Sequence, residues 1–150
     1  MRLTETILAA LEAVREAGKV VAVTYNSPQK VNVDFDTIAS PAAVLYLFRD
    51  GAYDTESGLL RELADVNVLF LTHQPQLDFR GSANEALLDD MADAAAMFIA
   101  ELTASGSVEF VGGEVTLRGV YDFNDKNTTG VSLQFRLREL QGRCLNSLRQ

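Results

Sequence analysis

The chain has 150 residues, of which 47% are hydrophobic and 23% are charged, and these values are typical of one globular domain with a substantial core. They exclude a disordered chain. Thirteen basic against 21 acidic residues give a formal net charge of -8, which argues against general binding to nucleic acid. We therefore expect a single α+β domain over residues 1–150, without specific nucleic-acid binding.

The cysteine content and the N-terminal stretch indicate the compartment. Cys144 is the single cysteine, so it cannot close a disulfide within the chain. Glu5 and Glu12 interrupt the stretch in which a secretory signal needs an apolar run. No run of apolar residues is long enough to span a membrane. We therefore expect a cytoplasmic protein that does not associate with membranes.

The first predicted element is an amphipathic helix over residues 4–17, which Gly18 ends. The β-branched run over residues 20–24 predicts the first strand, and the alternation over residues 31–35 predicts a second strand that pairs with it as a hairpin. The apolar residues of the helix recur at its period: they are Leu3, Ile7, Leu11 and Val14.

Two further strands are predicted in the middle of the chain. Residues 44–48 are apolar at both odd and even positions, which is typical of a strand covered on both faces, and Asp50–Gly51 predicts a turn after it. A strand is also predicted from about Glu62 to Thr72. The pattern over residues 59–64 fits either a helix or a strand.

A capping box marks the start of the second predicted helix. In Ser82-Ala83-Asn84-Glu85 the serine oxygen accepts a hydrogen bond from the Glu85 amide, and the glutamate reaches back to the Ser82 amide. The helix is therefore predicted to begin at Ala83, and Ser105–Gly106 ends it. Its broad apolar stripe predicts that it packs on a sheet.

The C-terminal part is predicted to form a three-strand meander. Gly112–Gly113 predicts a tight hairpin turn between a strand over residues 108–111 and a longer strand over residues 115–123. After a polar loop, residues 131–138 alternate strictly. The fold expected is thus α+β, with an N-terminal helix, a mostly antiparallel sheet, one long capped helix packed on it, and this meander.

No set of residues predicts catalysis, a metal site or a cofactor. His73 is the single histidine and has no neighbouring Cys or second His to complete a metal site or a nucleophile–base pair. Residues 122–126 begin like a calcium loop but place Lys126 where a ligand is needed. We therefore predict that the protein is not an enzyme and needs no metal or cofactor.

The charges are unevenly distributed along the chain. No basic residue lies between Arg80 and Arg118, whereas acidic residues are frequent there. This pattern is equally typical of a solvated face and of a contact in which one subunit's acidic patch meets a neighbour's basic patch. The candidate interface residues are Asp89, Asp90 and Asp93 on the helix, and Arg136 and Arg138, which strand parity directs outward.

The order of these elements resembles the tail-terminator and tail-completion proteins of long-tailed bacteriophages and prophages. The similarity extends over Pro41–Tyr46, over the passage from Val68–Leu71 to Asn84–Glu85, and over the ending from Val120 to Leu145. It implies copies that associate into a ring, which caps the tail tube and contacts other tail or head–tail proteins without catalysis. The alternative is a small cytosolic binding module that uses the sheet face or a cleft beneath Pro41.

Overall fold

The architecture comes from a computed structural model that describes residues 2–25, 40–47, 51–73, 82–123 and 128–149. Within these ranges the chain forms two α-helices and eight β-strands, so the predicted α+β fold is confirmed. The helices are α1 (Leu3–Glu16) and α2 (Ser82–Ala104). The strands are β1 (Ala22–Tyr25), β2 (Ala42–Leu47), β3 (Gly51–Asp54), β4 (Leu59–His73), β5 (Val108–Phe110), β6 (Thr116–Phe123), β7 (Thr128–Glu139) and β8 (Arg143–Cys144).

Helix α1 confirms the N-terminal prediction, and Gly18 follows its C-terminal end. The Gly18 amide donates to the Arg15 carbonyl at 2.9 Å, and the Lys19 amide donates to the Val14 carbonyl at 3.2 Å. This pair of bonds satisfies carbonyls that the helix end leaves unpaired, and it needs the left-handed φ of +80° that glycine adopts without strain. Gly18 therefore stops the helix by its backbone conformation.

The long strands β4 and β7 form the centre of the sheet. They pair antiparallel from Leu63 opposite Arg138 to His73 opposite Thr128. Strand β4 begins at Leu59, so residues 59–64 are strand. Of the described strands, only the short β8 pairs with its first two residues, with Leu59 opposite Cys144. Two strands of this length give the sheet an extended surface on both faces.

The pairing of β3 with β4 contradicts the turn predicted at Asp50–Gly51. Gly51 is the first residue of β3, and β3 continues along β4 in the same direction as β2. The chain reverses later, at Glu56–Gly58, where Ser57 has a φ of 59°. A glycine after an acidic residue therefore signals a turn locally, but pairing with β4 holds it in a strand. Asp50 lies outside the described residues.

Strand β1 confirms a strand near residues 20–24, and it pairs with β2 in parallel, Ala22 opposite Ala42. The second strand predicted over residues 31–35, with its hairpin to the first, lies outside the described residues. The rest of the described sheet is antiparallel, as predicted.

The hairpin predicted at Gly112–Gly113 is wrong. Strands β5 and β6 both pair with β7 and follow each other along the same edge, with Phe110 opposite Leu137 and Thr116 opposite Gln134. The two glycines have positive φ values of 78° and 72°, in a short 3-10 turn that interrupts this edge without reversing it. Positive φ is needed both for a tight hairpin and for such an interruption, so the local sequence does not distinguish them.

Helix α2 packs on the sheet, as predicted, and contributes side chains to the centre of the core. Phe98 is fully buried, and its ring lies 5.9 Å from that of Phe70 on β4 and 6.0 Å from that of Phe135 on β7. One cluster of buried side chains joins α1, α2 and one face of the sheet. The helix begins at Ser82, but the predicted capping bond involves side chains outside the described set. No helix in the described part of the chain is long and apolar enough to cross a membrane.

The other face of the sheet, here called the outer face, has a small buried cluster of its own. It comprises Ala42, Val44, Leu69 and Leu71. Because Ala43 and Leu45 belong to the helix-side core, β2 is buried on both faces, which confirms the prediction for residues 44–48 as far as their side chains are described. The outer face is polar along the rest of β4 and β7, and this polar region carries the predicted arginines.

Candidate assembly surface

Among the described residues, three ion pairs cross the polar region of the outer face, and together they are called the charged strip. Each pair joins an acidic and a basic side chain on two neighbouring strands. The pairs are Asp54–Arg61 between β3 and β4, Asp65–Arg136 between β4 and β7, and Glu109–Arg138 between β5 and β7.

The central pair of the charged strip is bidentate. Arg136 Nε lies 2.7 Å from Asp65 Oδ1, and its Nη2 lies 3.1 Å from Oδ2. The hydrogen bond from Arg136 lowers the pKa of the Asp65 carboxyl, against the smaller effect of burial, and the same bond raises the pKa of Arg136. Both side chains remain more than two-fifths exposed, at 43% and 48%, so water and salt still reach the pair.

Arg138, at the next outward position of β7, is also paired with a carboxylate of a neighbouring strand, through a single hydrogen bond. Its Nη1 donates to Glu109 Oε1 at 3.0 Å. Within the described residues its Nε has no hydrogen-bond partner. The parity argument is confirmed, since Phe135 and Leu137 are buried on the helix side while both arginines lie on the outer face. Each of these two arginines is also paired with a carboxylate of its own chain.

Sequence reasoning missed the third pair, Asp54 with Arg61. Arg61 Nη2 lies 2.7 Å from Asp54 Oδ2, and both side chains are largely buried. The backbone N–H of Glu56, at 3.0 Å, is the main cause of the lowered pKa of Asp54, and Arg61 adds to it. The sequence shows that both residues are polar, but it does not show the β3–β4 register that places them opposite each other.

The three aspartates of α2 are exposed on the helix layer. Asp90 and Asp93 line a cavity of about 310 Å³ together with Lys19 and Pro41, whereas Asp89 does not contribute to it. Because α2 covers the face of the sheet opposite the charged strip, the structure does not bring the predicted acidic and basic residues together within one chain. The two sets lie on opposite sides of the sheet.

A second cavity, of about 450 Å³, lies at the other end of β4. Arg2 and Arg143 line it with Glu62 and Glu139, and the turn after α2 completes its wall. The Glu139 carboxylate accepts a hydrogen bond from the Glu62 amide at 2.7 Å. The cavity is therefore polar and holds charges of both signs.

The remaining candidate residues lie apart from these sites. His73 is exposed at the end of β4, and Cys144 carries an exposed free thiol. In the described ranges no three His, Cys, Asp or Glu side chains come together in a way that could hold a metal ion.

No protein-family model and no curated protein matches this chain.

Proposed function

We propose that this chain is a non-catalytic structural protein that associates head to tail into a ring, as a phage tail terminator or neck component does. The observation that carries the proposal is the position of the two charged sets on opposite sides of the sheet. A contact between two different patches of one molecule repeats from copy to copy, and it closes into a ring when the rotation allows. The aspartates of α2 and the arginines of β7 supply two such patches.

The internal pairing of the arginines leaves room for this contact. Asp65 engages two of the N–H groups of Arg136, and the remaining N–H groups of the guanidinium can donate to a second carboxylate. On the opposite side, Asp90 and Asp93 line an open cavity that can receive a cationic side chain. The charges would contribute register and steering more than affinity.

The net charge supports a role at a channel through which DNA passes. With a formal charge of -8, the surface repels phosphates, so a ring of such subunits would let DNA through without binding it. Other tail or head–tail proteins would contact the two ends of the ring.

Light scattering across protein concentration and salt tests the proposal. We expect a closed oligomer larger than a dimer, and we expect salt to dissociate it because exposed charges are screened within about 8 Å at physiological ionic strength. Asp89→Lys with Asp93→Lys should abolish this oligomer and leave a folded protein. Glu56→Lys is the control, because Glu56 is exposed in the turn before β4, on the order of 40 Å along the strand from Thr72, which lines the acidic cavity.

A second variant tests the arginine side of the contact. Asp65→Asn removes the negative charge that pairs with Arg136 without introducing a positive one. If Arg136 docks on a neighbour's aspartates, this variant should assemble at lower protein concentration than the parent. Unchanged assembly of Asp65→Asn, or a parent that stays monomeric or dimeric at every concentration, would contradict the proposed contact.

The cavity beside Pro41 favours one alternative, a small binding module. Its lining combines Asp90 and Asp93 with Lys19, which suits a ligand that carries an amine and a small anionic or polar group. A monomeric parent whose melting temperature rises with amino-acid or diamine ligands, and does not rise in Asp90→Asn, would favour this function over the ring.

A further inference from the structure

Strand β6 lies at an edge of the described part of the sheet. It pairs with β7 from Thr116 opposite Gln134 to Val120 opposite Gly130, and none of the other described strands pairs with its second edge. Residues 116–119 are exposed, and Leu117 exposes 55% of its surface. An unpaired edge of this kind offers backbone N–H and C=O groups to a strand of another chain.

The sequence of this edge is complementary to itself in antiparallel register. The segment is Glu114-Val115-Thr116-Leu117-Arg118. When two copies run antiparallel and Thr116 lies opposite Thr116, each Glu114 lies opposite an Arg118, and each Val115 lies opposite a Leu117. Opposite charges meet opposite charges, and apolar side chains meet apolar side chains.

We propose that two copies of this chain associate about a two-fold axis through Thr116, by antiparallel pairing of their β6 edges. Leu117 lies opposite Leu133 of the helix-side core, so the Val115–Leu117 contacts would extend that face across the dimer. Arg118 lies on the outer face, opposite Ser132, and Glu114, two residues before β6, would pair with it there across the dimer. The two sheets would then form one continuous sheet.

The charges also disfavour two nearby registers, those with the axis at residue 118 or at residue 114. Moving the axis to residue 118 places Arg118 opposite Arg118, and moving it to residue 114 places Glu114 opposite Glu114. Like charges directly opposite each other oppose pairing. The pairing ends at Gly113, whose φ of +72° turns the backbone out of the strand direction. The edge therefore specifies a short, defined contact between identical copies.

This dimer goes beyond the proposed ring and does not depend on it. The ring contact uses α2 and the outer face, whereas the dimer contact lies in the plane of the sheet. Asp89→Lys with Asp93→Lys should therefore leave the dimer intact, and Arg118→Glu should leave the contact between α2 and β7 intact. Each proposal can fail without the other.

Charge exchange tests the dimer by sedimentation of the full chain, with Asp89→Lys and Asp93→Lys present throughout so that the ring contact is absent; this background is the parent for the test. In it, Arg118→Glu alone and Glu114→Arg alone should each be monomeric, since like charges then face each other. The double exchange Glu114→Arg with Arg118→Glu should restore the dimer. An equimolar mixture of the two single variants should also restore it, because each supplies the charges that the other lacks. A parent without a dimer, a single variant that still dimerises, or a mixture that stays dissociated would overturn the proposal.

A cross-link tests the position of the axis. In a Cys144→Ser background, Thr116→Cys places a thiol opposite the same thiol of the second copy. Mild oxidation should therefore give a covalent dimer. Gln134→Cys is the control, because Gln134 is exposed on the same face one strand further from the edge. We expect several-fold more covalent dimer from Thr116→Cys than from Gln134→Cys, and equal yields would overturn the proposed register.

Discussion

Arg136 and Asp65 lie directly opposite each other on β7 and β4, with Nε 2.7 Å from Oδ1 and Nη2 3.1 Å from Oδ2. The pair connects the two longest strands of the sheet on the face that the helices leave open. Its neighbours, Arg138 with Glu109 and Arg61 with Asp54, repeat the arrangement on either side. The surface predicted to be basic is therefore a row of paired charges, and its contribution to stability can be measured separately from assembly.

Asp65→Asn should lower the free energy of unfolding by less than about 1 kcal/mol at neutral pH, because water and salt screen an exposed pair. The pKa of Asp65 is below its ordinary value of 3.8 in the folded protein, so its contribution is complete above that value and is lost as the pH falls through the lowered pKa. Urea titrations of parent and variant should therefore differ at pH 7 and converge in acid. Glu56→Gln, at an exposed position in a turn, is the control. A difference that persists in acid would show that the variant acts through something other than this carboxylate.

Phe98→Ala should lower the free energy of unfolding by about 3 to 5 kcal/mol, since it empties the fully buried space between α2 and the two central strands. Phe110→Ala is the matched comparison. The ring centroids of Phe110 and Phe135 are 5.3 Å apart, but Phe110 is only partly buried. The loss of unfolding free energy should therefore be smaller for Phe110→Ala. Denaturant unfolding of both variants measures the ranking, and equal losses would contradict the central place of Phe98.

Gly130→Ala should be destabilising for a different reason. A Cβ at this position would clash with the carbonyl oxygen of Phe70, which belongs to the backbone of β4. The strands would have to separate locally, which typically costs about 1 to 3 kcal/mol and sometimes more. A thermal melt of the variant checks this, and an unchanged melting temperature would mean that the two strands approach less closely than described.

Ser82→Ala should lower the free energy of unfolding by about 1 kcal/mol, because the first turn of α2 would lose a side-chain acceptor. This stays a prediction from the sequence. An unchanged denaturation midpoint would place the N-cap of α2 at another residue.

Local patterns in the sequence were sufficient for the elements whose cause is local. Leu3, Ile7, Leu11 and Val14 predict α1 because helical spacing places them on one face, and Gly18 ends it by its own backbone freedom. The alternation in residues 131–138 likewise predicts which side chains of β7 are buried, because successive side chains of a strand point to opposite faces.

Only the tertiary structure decided which strands are neighbours. Gly112–Gly113 interrupts an edge instead of closing a hairpin, because both flanking segments find their partners on β7. The pairing of Arg136 with Asp65 depends on the β4–β7 register, which joins residues 71 positions apart in the chain. Whether an outward arginine is free or paired is set by the strand beside it, and the period of its own strand carries no information about that neighbour.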